Sequence, residues 1–180
     1  MLFRSYKEAI EWYKKLDSAF EIARCYDLLG DEDAAFPWYK KAAAQENGNV
    51  YILYLLGLRY FYGRGTEVDY AKATRLFSDA GDSVGPLYHL GLCYEKGLGV
   101  PQDLRKAFHY FSEAPTVTPD PNTEYLPEAI EKLAECYENG IGVEKNPAKA
   151  AEVRKEADDL KRQREAFPQE KDPFNRYAEF

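Results

Sequence analysis

The stretch Leu90-Gly91-Leu92-Cys93-Tyr94-Glu95-Lys96-Gly97-Leu98-Gly99-Val100-Pro101-Gln102-Asp103-Leu104-Arg105-Lys106-Ala107 decides the fold. Leu90, Gly91 and Tyr94 recur at spacings of three and four, which places them on one helical face. A tiny residue one turn before an aromatic lets a second helix approach closely, so Gly91 is accepted inside a helix despite its cost of about 1 kcal/mol. Gly97 can take a left-handed conformation and stop that helix. Asp103 is a good N-cap, and Lys106-Ala107 begins a second helix. The segment therefore reads as helix A, a glycine turn and helix B.

The same pattern recurs outward from this segment in both directions. Its anchor tyrosines are Tyr26, Tyr60, Tyr94 and Tyr137, spaced by 34, 34 and 43 residues. Ile22-Ala23, Leu56-Gly57 and Leu133-Ala134 stand where Leu90-Gly91 stands before Tyr94. Gly63-Arg64-Gly65 and Gly140-Ile141-Gly142 repeat the turn, Asp69 and Asn146 the cap, and Lys72-Ala73 and Lys149-Ala150 the start of helix B. Helix B shows a packing face in Ala73/Phe77/Ala80 and Ala107/Phe111/Ala114, matched near the N-terminus by Ala35/Tyr39/Ala42 and Ala9/Tyr13/Leu16. There the turn is plainer, Leu29-Gly30-Asp31-Glu32-Asp33, and an N-cap at Asp33 puts Pro37 in the first helical turn. The long interval holds an insertion from Pro115 to Glu124, whose Pro115, Pro119 and Pro121 predict a surface loop. One leading helix B followed by four A/B pairs gives nine helices in a single domain. Residues 1–48 form plain helices, 49–158 three glycine-turn repeats, and 159–180 an extension and tail, with Pro168 ending the last helix.

From Leu90 to Ala107 the chain resembles the Sel1-like repeat signature, and its N-terminal helices resemble the related tetratricopeptide repeat. Thr66, Ala134 and Arg154 depart from the pattern. Arg154 stands where the aromatic of helix B is expected, which suits a terminal capping helix with a solvated face. The resemblance implies an all-α, right-handed α-solenoid that binds a protein or peptide in its concave groove. It implies that helix A lines that groove through the positions nine, six and two before each anchor and one after it. These are Asp17, Phe20, Arg24 and Asp27; Tyr51, Tyr54, Leu58 and Phe61; Gly85, Tyr88, Leu92 and Glu95; and Glu128, Glu131, Glu135 and Glu138. The partner-binding set expected on this basis is Phe20, Arg24, Tyr51, Tyr54, Leu58, Phe61, Tyr88, Leu92, Glu95, Glu128, Glu131, Glu135 and Glu138. Ile52, Leu56, Gly57 and Tyr60 already fill the inward face of their helix, which leaves Tyr51, Tyr54 and Phe61 as an aromatic patch for a partner. The glutamate row places like charges at three- and four-residue spacing, a destabilising arrangement that a basic partner would relieve. The expected partner therefore has an apolar anchor and basic residues. The Lys and Asn clamp that holds a chaperone's C-terminal carboxylate in tetratricopeptide grooves has no counterpart here.

Composition is that of a folded chain: 45% hydrophobic and 31% charged residues lie outside the disordered regime. The resemblance implies a binding protein and not an enzyme. A net charge of −7 and a pI near 5.0 argue against nucleic acid as partner. No apolar run reaches the roughly 18 residues of a membrane span, and the N-terminus reads as neither signal nor anchor, so a cytoplasmic location is expected. Cys25, Cys93 and Cys136 each precede an anchor tyrosine. Equivalent positions of stacked helices lie about 10 Å apart, too far for a disulfide. His89 and Cys93 share a helix face, yet no third ligand or orienting acid stands at helical spacing, so both read as packing residues and neither metal nor cofactor is expected. Secreted Sel1-like proteins with a disulfide in each repeat have been described as binding or hydrolysing β-lactams; here no helix B carries the second cysteine, so that activity does not carry over. A closer alternative is an immunity or inhibitor protein that neutralises a basic toxin. The aromatic tail Pro173-Phe174-Asn175-Arg176-Tyr177-Ala178-Glu179-Phe180 is expected to fold over the last helices or enter a neighbour's groove.

Overall fold

The computed structural model describes residues 5–45, 49–117 and 125–166. Among them it contains nine helices and no strand: α1 (Tyr6–Lys15), α2 (Ala19–Leu29), α3 (Glu32–Gln45), α4 (Val50–Tyr62), α5 (Tyr70–Asp79), α6 (Val84–Lys96), α7 (Leu104–Val117), α8 (Leu126–Asn139) and α9 (Pro147–Ala166). Helices α2, α4, α6 and α8 are the A helices, and α3, α5, α7 and α9 their B partners. The described residues form two compact units, one up to Ala80 and one from Gly81. In the first, α1 packs on α2, α2 on α3, α3 on α4 and α4 on α5. In the second, α6 packs on α7, α7 on α8 and α8 on α9, and the A helices α6 and α8 also lie side by side.

Each recurring residue has a local physical role. A Cβ on Gly91 would stand 2.3 Å from the ring of Phe111, and one on Gly57 would stand 2.7 Å from the ring of Phe77. The tiny residue thus makes room for the aromatic of helix B. Gly142 has φ +69°, and a Cβ there would stand 1.9 Å from the carbonyl oxygen of Leu104 at the start of α7. Gly65 meets the carbonyl of Glu32 in the same way at 2.0 Å. The second glycine of the turn therefore seats one repeat against the helix B of the repeat before it.

The anchor carbonyls bind the caps: Asp69, Asp103 and Asn146 donate their backbone N–H to the carbonyls of Tyr60, Tyr94 and Tyr137, at 2.9, 2.9 and 2.7 Å. Their side chains then accept from the N–H groups of Lys72, Lys106 and Lys149, at 3.0, 3.1 and 3.0 Å, satisfying orphan donors of helix B. The lysines of the Lys-Ala pairs have a further use. Lys72 Nζ lies 5.1 Å from the ring centre of Tyr60, and Lys106 Nζ 5.0 Å from that of Tyr94, so these two anchor rings carry a cation on their faces.

Two expectations are corrected. Helix α3 starts at Glu32, because Gly30 turns the chain at φ +76° and the side chain of Asp31 accepts from the N–H of Ala34 at 3.0 Å. Asp31 rather than Asp33 is the cap, and Pro37 lies in the second helical turn, on an exposed face. Helix α7 runs through Pro115 to Val117, so the insertion opens as helix and not as loop. A proline there removes one hydrogen bond in a helix's last turn and leaves the others in place. The rest of the insertion, with Pro119 and Pro121, lies outside the described residues, as do Pro168 and the tail from Pro173 to Phe180.

The first unit's core joins Ala9, Ile10, Ile22 and Cys25 to Tyr13, Tyr26 and Trp38, and Ala19, Ala42 and Ile52 to Phe20 and Trp38. The second is built on Leu92, Ala107, Phe111 and Cys136 with Tyr88, Tyr94, Phe108 and Leu133 around them. Each fully buried large side chain contributes roughly 1.5–3 kcal/mol of transfer free energy. Helix α9 buries Ala150, Val153 and Ala157 along one stripe and leaves the rest of its surface to charged residues, as a capping helix does.

Candidate interaction surface

The helix A positions expected to meet a partner divide into exposed and buried sets. In the first unit Tyr51 is 49% exposed at the start of α4, where Asn49 caps the helix by accepting from the N–H groups of Tyr51 and Ile52. Half-buried Phe20 stands edge-on to Tyr51, with ring centres 6.1 Å apart. Arg24 lies 5.5 Å from the centre of the Phe20 ring and 3.5 Å from Glu21. Phe20, Arg24 and Tyr51 thus form one partly exposed patch of two rings and a guanidinium. Asp17 nearby accepts from Lys41 and Gln45 at 2.6 and 2.8 Å, and the lysine bond, then the lysine charge, holds its carboxyl below the usual range. Phe61 is half-buried among Tyr62, Tyr70 and Phe77, with centres at 5.0, 5.4 and 5.9 Å.

Tyr54 and Leu58 do not face solvent. They are 6% and 0% exposed, and the Tyr54 ring lies 5.8 Å from that of Phe77. Leu92 in the second unit is likewise a core residue, packed with Ala107, Phe111 and Cys136. The expectation that these three line an open groove is corrected: Tyr54 lies against the helix B aromatic Phe77, Leu92 packs with Phe111, and Leu58 is fully buried. Tyr88 keeps a half-buried position, stacked on Tyr125 at 5.2 Å and 14°.

The glutamate row of α8 is exposed at Glu128 and Glu138 and half-buried at Glu131 and Glu135. The chain itself supplies cations to three of the four. Lys161 donates to Glu131, Lys132 to Glu135 at 2.8 Å, and Arg154 to Glu138 at 2.6 Å. The like-charge repulsion read from the spacing is therefore relieved from within α8 and α9. Glu95 lies deeper, with its side chain 13% exposed and its Oε1 3.4 Å from Lys132 Nζ. Burial tends to depress the Lys132 ammonium, but the bond to Glu135 and the charge of Glu95 outweigh it and raise its pKa.

Sequence reasoning missed a buried charge network. Asp27 accepts from Tyr39 Oη at 2.6 Å and pairs with Arg59, whose guanidinium lies 4.2 Å from the centre of the Tyr39 ring. Arg59 is 1% exposed. A signal was present: the residue before each anchor is Cys25, Arg59, Cys93 and Cys136, and one arginine in a row of small buried residues demands a buried acid.

His89 is fully buried. Its Nδ1–H donates to the Gly85 carbonyl at 2.8 Å, and burial pushes its pKa down to about 4, so the ring is a neutral part of the core. Cys25, Cys93 and Cys136 are buried thiols. Burial, then Glu95, pushes the Cys136 thiol up to about 12, the reverse of what a nucleophile needs. Among the described residues no three His, Cys, Asp or Glu side chains gather as a metal site, and no helix is long and apolar enough to cross a membrane.

A family model described as Sel1 repeat matches residues 1–16, 17–47, 52–83, 87–114 and 127–152. It includes the N-terminal helices that the plainer turn had set apart as tetratricopeptide-like. No curated protein matches the chain. Among solved structures, a Sel1 repeat protein from Oxalobacter formigenes is similar at 25% identity and TM-score 0.73, over 88% of this chain and 67% of its own. A protective antigen of uropathogenic Escherichia coli strains displaying an SLR fold aligns at 24% identity and TM-score 0.72, over 87% of this chain. This chain spans 34% of that antigen's length. MamA aligns at 19% identity and TM-score 0.62, over 90% of this chain and 92% of its own. The antigen and MamA share the fold with this chain.

Proposed function

The chain belongs to the Sel1 repeat family, and from that premise we propose that it is a non-catalytic scaffold that holds a partner protein or peptide along the exposed residues of its A helices. The patch of Phe20, Arg24 and Tyr51 carries the reading. An aromatic that is 49% exposed at a helix start, beside a second ring and a guanidinium, has the composition of an interface anchor. Phe61 adds to the set in the first unit, with Tyr54 and Leu58 buried behind it. The second unit offers a set of its own in Tyr88, Glu95, Glu128, Glu131, Glu135 and Glu138, with Leu92 buried in its core. A net charge of −7 weighs against a nucleic-acid partner, and buried thiols accord with a reducing compartment such as the cytoplasm.

A photo-crosslinking residue at position 51, compared with one at the 86%-exposed Arg75 on helix B, tests the scaffold reading in a lysate of the source organism. A partner trapped at 51, absent at 75 and lost in a Phe20→Ala variant of native helicity is the expected result. Equal trapping at both positions, or none at 51, would overturn it. Neutralisation of a basic effector is the second reading, favoured by the net charge. Glu131, Glu135 and Glu138, the expected acceptors for a basic partner, are already paired within α8 and α9.

A further inference from the structure

Resting on the reading of helix A as the binding face, we propose that Glu95 is the acceptor for a cationic side chain of the partner protein, arginine first. In the first unit the carboxylate at this place in the repeat is met by two donors. Asp27, the residue after anchor Tyr26, is held by the hydroxyl of Tyr39 on helix B and by Arg59, the residue before the next anchor. In the second unit the same three places are taken by Glu95, Phe111 and Cys136. The hydroxyl and the guanidinium are both gone, while the carboxylate is kept.

Lys132, one turn before Cys136 on α8, substitutes in part. It reaches Oε1 of Glu95 at 3.4 Å and holds Glu135 more closely at 2.8 Å. Oε2 of Glu95 is buried and has no hydrogen-bond partner. A buried carboxylate oxygen without a donor is a costly state, and buried acceptors left so in native proteins call for an explanation. An incoming guanidinium supplies it. Its planar fork can donate to both oxygens of one carboxylate, and Lys132 then remains on Glu135, which it already favours. Tyr88, half-buried seven residues before Glu95 on the same helix face, offers the aliphatic stem a ring to lie against. The side chains of Glu135, Lys132 and Glu95 itself, 40%, 24% and 13% exposed, are the groups here that reach solvent.

The test uses the 180-residue chain, isotopically labelled, titrated with acetyl-Leu-Arg-Leu-amide and with the same peptide carrying neutral citrulline in place of arginine. Saturable shifts of the Glu95, Lys132 and Cys136 amides with the arginine peptide, and none with citrulline, are expected. Glu95→Gln should weaken the response by about tenfold or more. Cys136→Arg, which returns to the second unit the guanidinium that Arg59 gives the first, should abolish it. No saturable response, or one unchanged by Glu95→Gln or by citrulline, would overturn the proposal. Glu95→Gln decides the matter even where Cys136→Arg does not fold. A partner trapped at position 51 and held equally by the Glu95→Gln chain sinks this inference and leaves the scaffold standing. A failed trap at 51 sinks the scaffold, while the peptide titration still judges Glu95.

Discussion

Arg59 is the largest side chain that the fold buries completely among the described residues. A buried ion pair adds little net stability over an apolar isostere, but removing one member leaves the other charge without compensation. Arg59→Met should therefore lower the unfolding free energy by about 3–5 kcal/mol, and Asp27→Leu/Arg59→Met should recover much of that loss, both read from urea midpoints. His89 gives a pH signature with a definite sign. Its pKa is about 4 in the folded chain against an ordinary 6.5, so between those values the unfolded chain binds more protons. Stability contributed by the neutral ring is complete above pH 6.5 and is lost as pH falls toward 4. Over that window His89→Leu should flatten the pH dependence of the unfolding free energy, read from urea titrations, by up to about 3 kcal/mol. A wild-type curve no steeper than the variant's would show that His89 is not held neutral.

At the level of the helix the chain is most legible, because caps, turns and close approaches are written in single residues. Gly91 was readable as a contact residue, and the Phe111 ring 2.3 Å from its missing Cβ is the contact. Gly91→Ala should cost about 1–3 kcal/mol by overpacking. Asp103→Ala should cost about 1 kcal/mol by freeing the first N–H groups of α7, and its measured loss should exceed that of a control substitution at the exposed Arg105 in the same turn, Arg105→Ala. The starts of α5, α7 and α9 fall where Asp69, Asp103 and Asn146 place them. The start of α3 was harder, since Asp31 and Asp33 are both competent caps and only the turn at Gly30 decides between them. The length of α7 was harder still. A proline near a helix end removes one bond and does not dictate which side of it the helix stops.

For the molecule as a whole, the repeat period was legible and the division of helix A into open and covered positions was not. The period follows from contacts each repeat makes with itself, such as Gly91 on Phe111 and Lys106 over Tyr94. Exposure depends on neighbours. Position six before the anchor is half-buried at Phe20, buried at Tyr54, half-buried at Tyr88 and half-buried at Glu131, though the spacing rule treats them alike. Pairing of α8 glutamates with Lys161 and Arg154 was equally hidden, because it joins residues 30 and 16 positions apart on two helices.

The chain's two tryptophans, Trp12 and Trp38, both lie in the first unit. Trp38 is packed into that unit's core, whereas far-ultraviolet circular dichroism sums over all nine helices among the described residues. Intrinsic tryptophan emission is therefore a local spectroscopic channel that reports on the first unit. Followed together through a denaturant series, the two signals give a label-free readout of cooperativity. Superimposed curves would mark one all-or-none transition, and an emission change that runs ahead of the ellipticity would mark a first unit that melts on its own.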